Sequence, residues 1–594
     1  MRLAGLFLAV AAFAATPAFD PARYLNHIKY LSSDELKGRA SGSPELEMAA
    51  NYLAEQYKSF GLKPIGGRHY LQAFPVTTSA RMGQGNSFND AAIDKDFIPF
   101  NFSSKGKATG QVVFAGYGIT APEYNYDDYA GLDAKGKFVV VLRHEPQEFD
   151  EKSVFEGKGY TDHAQFYSKA SNAKRHGAIG LIVVNDRINH LSDQDDLEPF
   201  GKTAGPNDAG LLVVQVKEAV AQPWFHAMKK DLQTLQQEID KSFKPQSFQI
   251  AGITVTETVD VEREVKTVHN VVAYLPGQTA EYVIVGAHYD HLGLGDNHSL
   301  AQSQIGSIHH GADDNASGTA GVLELARYFS KQSPKPKRGI LFLNFAGEEL
   351  GLLGSGYYAT HPELPLDKAV AMINLDMIGR AKDGKLFVGG AGTGTTLRKS
   401  LDQVLPQHPG LKVDYSDAGG YGSSDHTSFT ARQVPVLFFF SGLHADYHKP
   451  TDTWDKIDTA NAVQVLSLVA DIAGHLETDS TRPTFVHVQP DPHSGNVAAV
   501  SNGKGGYGPD FGSIPDFAEP PKGVRFSDVR PGSPAAKAGL KPGDILLKFG
   551  DADIANLYDF TFALRSHKPG DTVVVEVLRE KLLVRATVLL TQRK

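Results

Sequence analysis

Four short, uninterrupted apolar runs punctuate the stretch from residue 282 to 440 of this chain: Tyr282-Val283-Ile284-Val285, Ile340-Leu341-Phe342-Leu343, Val370-Ala371-Met372-Ile373 and Val436-Leu437-Phe438-Phe439-Phe440. A strand with one wet face alternates apolar and polar residues, so runs without alternation predict strands covered on both faces. Between them Val322, Ala326 and Phe329, and later Val463, Leu466 and Ala470, recur at helical spacing. The fold class predicted is α/β, with a mixed, largely parallel central sheet flanked by helices. Open sheets of this kind carry their sites beyond the carboxyl ends of the strands.

The residues just beyond those strand ends are metal-liganding types. In chain order they are His288, Asp314, Glu349, Asp376 and His448, with Glu348 directly before Glu349. Two imidazoles and several carboxylates suit Zn²⁺, and a carboxylate shared by two ions about 3.5–4 Å apart gives a hydrolytic clamp. His288 lies in Gly286-Ala287-His288-Tyr289-Asp290, where Asp290 is placed to accept the imidazole's second N–H and fix its tautomer. Asp314 opens Asp314-Asn315-Ala316-Ser317-Gly318, a turn before a helix, and its two oxygens could bridge two ions; Asp313 is expected to point away. Adjacent carboxylates cannot aim identically. Glu349 is therefore assigned to metal and Glu348 to general base and then acid, since Zn²⁺ brings a water pKa near ~7. His291, His298, His309, His310, His426 and His444 read as surface or supporting groups, with His309-His310 candidate pocket lining.

The remainder of the chain divides by composition. The 594 residues predict three or four domains. Met1-Arg2, an apolar run from Leu3 to Val10, Ala-rich residues to Ala15 and then Thr16-Pro17-Ala18 predict a signal peptide over residues 1–18. The expectation is export to the periplasm or outside the cell, with no stable membrane anchor after cleavage. There is no cysteine, so disulfides cannot hold the fold, and a net charge of −9 offers no basic face for nucleic acid. Residues 19–100 are assigned to the N-terminal part of the main domain, beginning with two helices joined through Gly38-Arg39. In them Tyr24, Ile28 and Leu31 share one face, and Met48, Tyr52, Leu53 and Tyr57 another. Residues 101–255 form a strand-rich insert and 256–480 the main domain. Residues 481–506 read as a linker and 507–594 as a compact terminal domain. The Gly389–Gly394 run lacks the endings of phosphate-binding loops.

The metal-binding set, in this order and context, resembles the co-catalytic two-zinc aminopeptidases related to bacterial leucyl aminopeptidase, aminopeptidase Y and glutamate carboxypeptidase. The resemblance implies two Zn²⁺ per chain, one held by His288 and Asp376 and the other by Glu349 and His448, with Asp314 bridging. It implies removal of N-terminal residues from peptide substrates by a hydroxide shared between the zincs, with Glu348 as base. Tyr421, in Gly420-Tyr421-Gly422-Ser423-Ser424-Asp425-His426, matches a tyrosine that stabilises the oxyanion; Gly419 and Ser423 stand where cysteines flank it in the secreted branch. Carboxypeptidase specificity and a one-zinc glutaminyl cyclase-like transferase are alternatives on the same fold. A non-catalytic relative would be expected to have lost ligands. The insert resembles a protease-associated (PA) domain through Gly116-Tyr117-Gly118-Ile119, Leu132-Asp133-Ala134-Lys135-Gly136-Lys137 and Gly177-Ala178-Ile179-Gly180. The terminal domain resembles a PDZ domain of the bacterial protease type through the stretch from Gly532-Ser533-Pro534 to Gly543-Asp544-Ile545. Phe511-Gly512-Ser513-Ile514 would then be its loop for a peptide C-terminus.

Overall fold

The computed structural model describes residues 17–592, apart from 66–68, 156, 158–159, 189–194, 202, 204–206, 296–297, 416–417, 423, 489–507 and 516–521. Of the segment read as a signal peptide, residues 1–16 lie outside the described set, as do most of the linker and Ser423.

The four apolar runs form adjacent parallel strands, in the spatial order Gly339–Phe345, Tyr282–His288, Ala369–Leu375, Val436–Phe440. Every residue of the first three strands is buried, as the absence of alternation requires. Antiparallel neighbours extend the sheet on both sides: Val261–Leu275 and Leu71–Met82 beyond Gly339–Phe345, and Lys385–Gly389 beyond Val436–Phe440, followed by Lys412–Asp414. The connection from Tyr282–His288 passes to one neighbour and the next returns to the other. This order makes the carboxyl end of Tyr282–His288 the switch point of the sheet, the position at which open α/β sheets place their sites.

Two N-terminal helices cover one face. Pro21–Leu31 starts with Pro at its first position and Asp20 accepting from the amides of Ala22 and Arg23; Pro44–Ser59 starts the same way, with Ser43 capping Leu46. Tyr24, Ile28 and Leu31 are buried as expected. In the second helix the buried stripe is Leu46, Ala49, Ala50, Leu53 and Tyr57, whereas Met48 is exposed. Leu46, Ala50, Leu53 and Tyr57 follow the i, i+4, i+7, i+11 line, and Met48 lies off it. Between the helices Gly38 has φ +73°, and a Cβ there would sit 2.3 Å from the carbonyl oxygen of His309. The next residue, Arg39, is fully buried. Its guanidinium donates to the carbonyls of Tyr289 (2.8 Å), His310 (2.9 Å), Gly311 (3.1 Å) and Leu31.

Leu71–Met82 and Val261–Leu275, paired antiparallel, carry the chain out to the insert and back. The chain has joined the insert's sheet by Ser87–Phe88 and Phe97–Pro99; the full order is Ser87–Phe88, Phe248–Val259, Gly106–Phe114, Phe138–Leu142, Gly180–Val184, Leu212–Val216, Phe97–Pro99. The C-terminal domain is built on Val524–Val529, Ile545–Phe549, Thr572–Arg579 and Leu582–Leu589 around an aromatic core of Phe511, Phe526, Phe549 and Phe560. Its helix Leu557–Arg565 lies on the insert's helix Phe166–Arg175, with Lys174 2.9 Å from Asp559, Arg565 paired to Asp162 and Tyr558 edge-on to Tyr167. Among the described residues no helix is long and apolar enough to cross a membrane.

Glu324, fully buried on helix Gly318–Ser330, ties the N-terminal helix down through Arg23 Nε at 2.8 Å, with His27 Nε2 at 3.6 Å, and is also paired within its own helix to Arg327 Nη2 at 3.0 Å. Burial alone would raise its pKa; the nearby donors His27, Arg327 and Arg23 outweigh it and hold the carboxyl at about 2, against an ordinary 4.5. A depressed carboxylate pKa stabilises the fold above its unfolded value and loses that contribution as pH falls through the folded one. The shift corresponds to roughly 3 kcal/mol. Glu324→Gln should therefore lower stability at neutral pH by up to about that amount and flatten the loss of stability between about pH 5 and 2, measured by denaturant unfolding across pH.

Candidate metal centre

Each predicted ligand follows a strand end or a constrained turn. His288 is the last residue of its strand, Asp376 directly follows Ala369–Leu375, and Glu348-Glu349 lie just past Gly339–Phe345. Asp314 sits in a tight turn, residues Ala312–Ser317, whose amides at Asp313 and Asp314 donate to Asp452 Oδ2 (2.8 and 3.1 Å); Arg380 Nη2 fixes the other oxygen of Asp452 at 3.0 Å. Asp313 turns away, accepting from Gly379 N at 2.7 Å and lying 3.1 Å from His444 Nε2. His448 has φ +53°, and its Nδ1 lies 2.9 Å from the His298 carbonyl.

The fold brings all five predicted ligands together. Nε2 of His288 lies 3.4 Å from Asp376 Oδ1, 3.5 Å from Asp314 Oδ1 and 3.9 Å from Glu348 Oε2. Nε2 of His448 lies 3.2 Å from Asp314 Oδ2 and 3.2 Å from Glu349 Oε2. Asp314 thus offers one oxygen to each group, and Glu348 and Glu349 diverge to opposite sides. Two sets, His288–Asp314–Asp376 and His291–Asp314–Glu349, hold their ligand atoms within 4.8 Å of one another. Imidazole nitrogens with carboxylate oxygens at this spacing fit a zinc-type divalent cation. A third such set, His144–Glu148–Asp186, lies in the insert, where His144 Nδ1 is 2.9 Å from Asp186.

Supporting contacts orient the ligands. Ser424 donates to Asp376 Oδ2 at 2.7 Å and receives Asn374 Nδ2 at 2.8 Å. Asp290 was expected to accept from His288 through its carboxylate. Its backbone carbonyl is nearer to Nδ1, at 3.3 Å, than its carboxylate at 3.7 Å. The carboxylate instead accepts from Ser41 Oγ at 2.8 Å and from the amide of Glu348 at 3.2 Å, so it joins the His288 loop to the Glu348 turn.

Crowded charge sets the titration behaviour. Burial and the neighbouring Glu349, Asp425 and Asp376 push Glu348 well above the usual carboxylate range, against the opposing pull of His288. Burial favours neutral Glu349 too, but His448 and His291 hold it well below that range. His448 rises to about 11, because Glu349 and Asp314 outweigh its burial. Metal ligands must shed their protons, so a divalent cation would take over the balancing role these protons fill.

Tyr421 has a partner outside this group: its hydroxyl donates to Asp528 Oδ2 of the C-terminal domain at 2.7 Å, and His487 Nδ1 lies 3.1 Å from the same carboxylate. The phenol within the field of the ligands is Tyr447, stacked on His448 with ring centroids 3.9 Å apart. Burial and then the charges of Asp314, Glu349, Glu348 and Asp376 raise its pKa. Sequence reading missed Tyr447, although its place beside a ligand histidine was a usable signal. It also set aside His291, which is buried with Nδ1 2.7 Å from Glu349 Oε1. Of the other histidines, His309 is buried against Ser299 Oγ, His310 pairs with Asp34, and His426 stacks on Phe438.

Residues 270–473 match Peptidase family M28, residues 108–224 the PA domain and residues 499–590 the PDZ domain. The chain is a peptide hydrolase. More specifically, its central domain belongs to peptidase family M28 and is accompanied by a PA domain and a PDZ domain. Aminopeptidase YwaD of Bacillus subtilis is 27% identical over 375 residues, covering 61% of this chain and 68% of that protein. A probable leucine aminopeptidase of Arthroderma otae is 32% identical over 212 residues, covering 34% of this chain and 56% of that protein. Among solved structures, an aminopeptidase from Aneurinibacillus sp. strain AM-1 is 24% identical, covering 80% of this chain and 96% of that one with a TM-score of 0.46.

Removing the donor to Asp376 tests the supporting shell. Ser424→Ala should weaken Zn²⁺ or Co²⁺ binding by about 10–100-fold, measured by titration against a competing chelator, with the fold intact by circular dichroism.

Proposed function

We propose that the chain is a di-zinc aminopeptidase that removes N-terminal residues from peptides. The observation that carries this reading is the division of Asp314, whose Oδ1 faces His288 and whose Oδ2 faces His448. Two ions would then be held by His288, Asp314 and Asp376 on one side and by Asp314, Glu349 and His448 on the other. When bound, they supply Lewis acidity to a scissile carbonyl and acidify a water. Glu348, on the His288 side, takes the proton of the attacking water and delivers it to the leaving amine. Tyr447 is better supported as the donor to the developing oxyanion than Tyr421, because a phenol has one proton and that of Tyr421 is donated to Asp528.

Aminopeptidase action is favoured over carboxypeptidase action by the relatives' names, and the complete ligand set disfavours a one-zinc cyclase. Export is inferred from the apolar N-terminal segment. The PDZ domain is proposed to take a peptide C-terminus at Phe511-Gly512-Ser513-Ile514, with peptide added as a strand.

Glu348→Gln should retain two zincs by elemental analysis yet lose about 10²–10⁴-fold in kcat. The wild type should cleave peptides with free N-termini and spare N-acetylated ones; cleavage of the blocked peptides would redirect the reading to another specificity. Tyr447→Phe should lower kcat by about 10²–10³-fold with little change in KM, and Tyr421→Phe should cost far less. The reverse order would restore Tyr421 as the oxyanion donor.

A further inference from the structure

We propose that His291 is a positioning residue for the second metal: its Nδ1–H holds one oxygen of Glu349 so that the other is presented beside His448. The inference rests on the di-zinc reading and assigns His291 to hydrogen bonding rather than to coordination.

Three observations carry it. Nδ1 lies 2.7 Å from Glu349 Oε1, a hydrogen-bond distance, but 3.8 Å from Asp314 Oδ2. The other oxygen, Glu349 Oε2, is the one 3.2 Å from His448 Nε2. The two carboxylate oxygens therefore have separate partners, which leaves Glu349 one direction in which to ligate.

The tautomer follows from the other ring nitrogen. Nε2 of His291 is buried and has no hydrogen-bond partner among the described residues. A proton there would be a buried donor without an acceptor, and would leave the Nδ1 lone pair facing a carboxylate lone pair. Placing the proton on Nδ1 satisfies the carboxylate and leaves only an acceptor unpartnered. A metal on Nδ1 would force the costlier arrangement.

The ring is also held in place. The His291 amide donates to the Arg39 carbonyl at 3.2 Å, and the ring packs on Gly311, where an added Cβ would lie 2.5 Å from Cδ2. Gly311 precedes the turn that carries Asp314. The same backbone thus sets Asp314 directly and Glu349 through His291.

The test compares Zn²⁺ binding to wild type, His291→Ala, His291→Asn and His291→Asp in chelator-buffered titrations, together with absorption spectra of the Co²⁺-substituted proteins. Asn places an N–H near the position of Nδ1 but is a poor zinc ligand; Asp can ligate but cannot donate. His291→Ala should keep the first ion and bind the second about 10–100-fold more weakly. Asn should restore most of that loss with the wild-type Co²⁺ band, and Asp should not. Wild-type affinity in the Ala variant, or rescue by Asp and not by Asn, would overturn the proposal. A wild type that binds a single ion would instead overturn the di-zinc reading beneath it.

Discussion

Asp314, Glu348, Glu349 and Asp376 are gathered where water has been largely removed, and carboxylates so placed repel one another strongly. Such a pocket persists only if positive charge is distributed through it and if each oxygen is given a fixed direction. The imidazoles of His288 and His448 supply the first requirement. The second is met by groups that have no direct part in the chemistry: Ser424 on Asp376, Asp452 on the Asp314 turn, and Asp290 between the His288 loop and the Glu348 amide. The sheet contributes by ending three neighbouring strands at one level, so that short excursions of chain deliver the ligands.

The parts legible in sequence were those governed by local repetition. Runs such as Val283–Val285 and Leu341–Leu343 reveal strands buried on both faces because nothing in them is suited to water, and the ligands were legible because their residue types follow those runs. What escaped was whatever depends on residues distant in sequence meeting in space. His291 looks like any polar residue after a strand until Glu349 is folded against it, 58 positions later. Tyr421 sits in a motif that implies one role, yet its hydroxyl reaches a carboxylate 107 positions away in another domain. Met48 was misplaced for a simpler reason: two apolar stripes one step apart on a helix cannot be ranked until the partner surface is known.

The C-terminal domain is connected to the metal centre by a short path. Its Asp528 receives Tyr421, and three residues further along the same loop Ser424 donates to Asp376. On its other side the domain rests on the PA domain through Lys174–Asp559 and Tyr167–Tyr558. The PDZ domain therefore contacts both the insert and a loop that orients a ligand.

Arg39 has a consequence in time as well as in space. Its carbonyl partners at Tyr289, His310 and Gly311 lie 250, 271 and 272 residues further along the chain. At a ribosome adding about 5–20 residues each second, a guanidinium made early waits on the order of tens of seconds before those acceptors exist. During that interval the N-terminal helices have an apolar face and a charged side chain with no final destination, while the intervening PA domain can close on itself. The insert thus delays the docking of the segment that braces the metal centre, making assembly of this site a late event in the birth of the molecule.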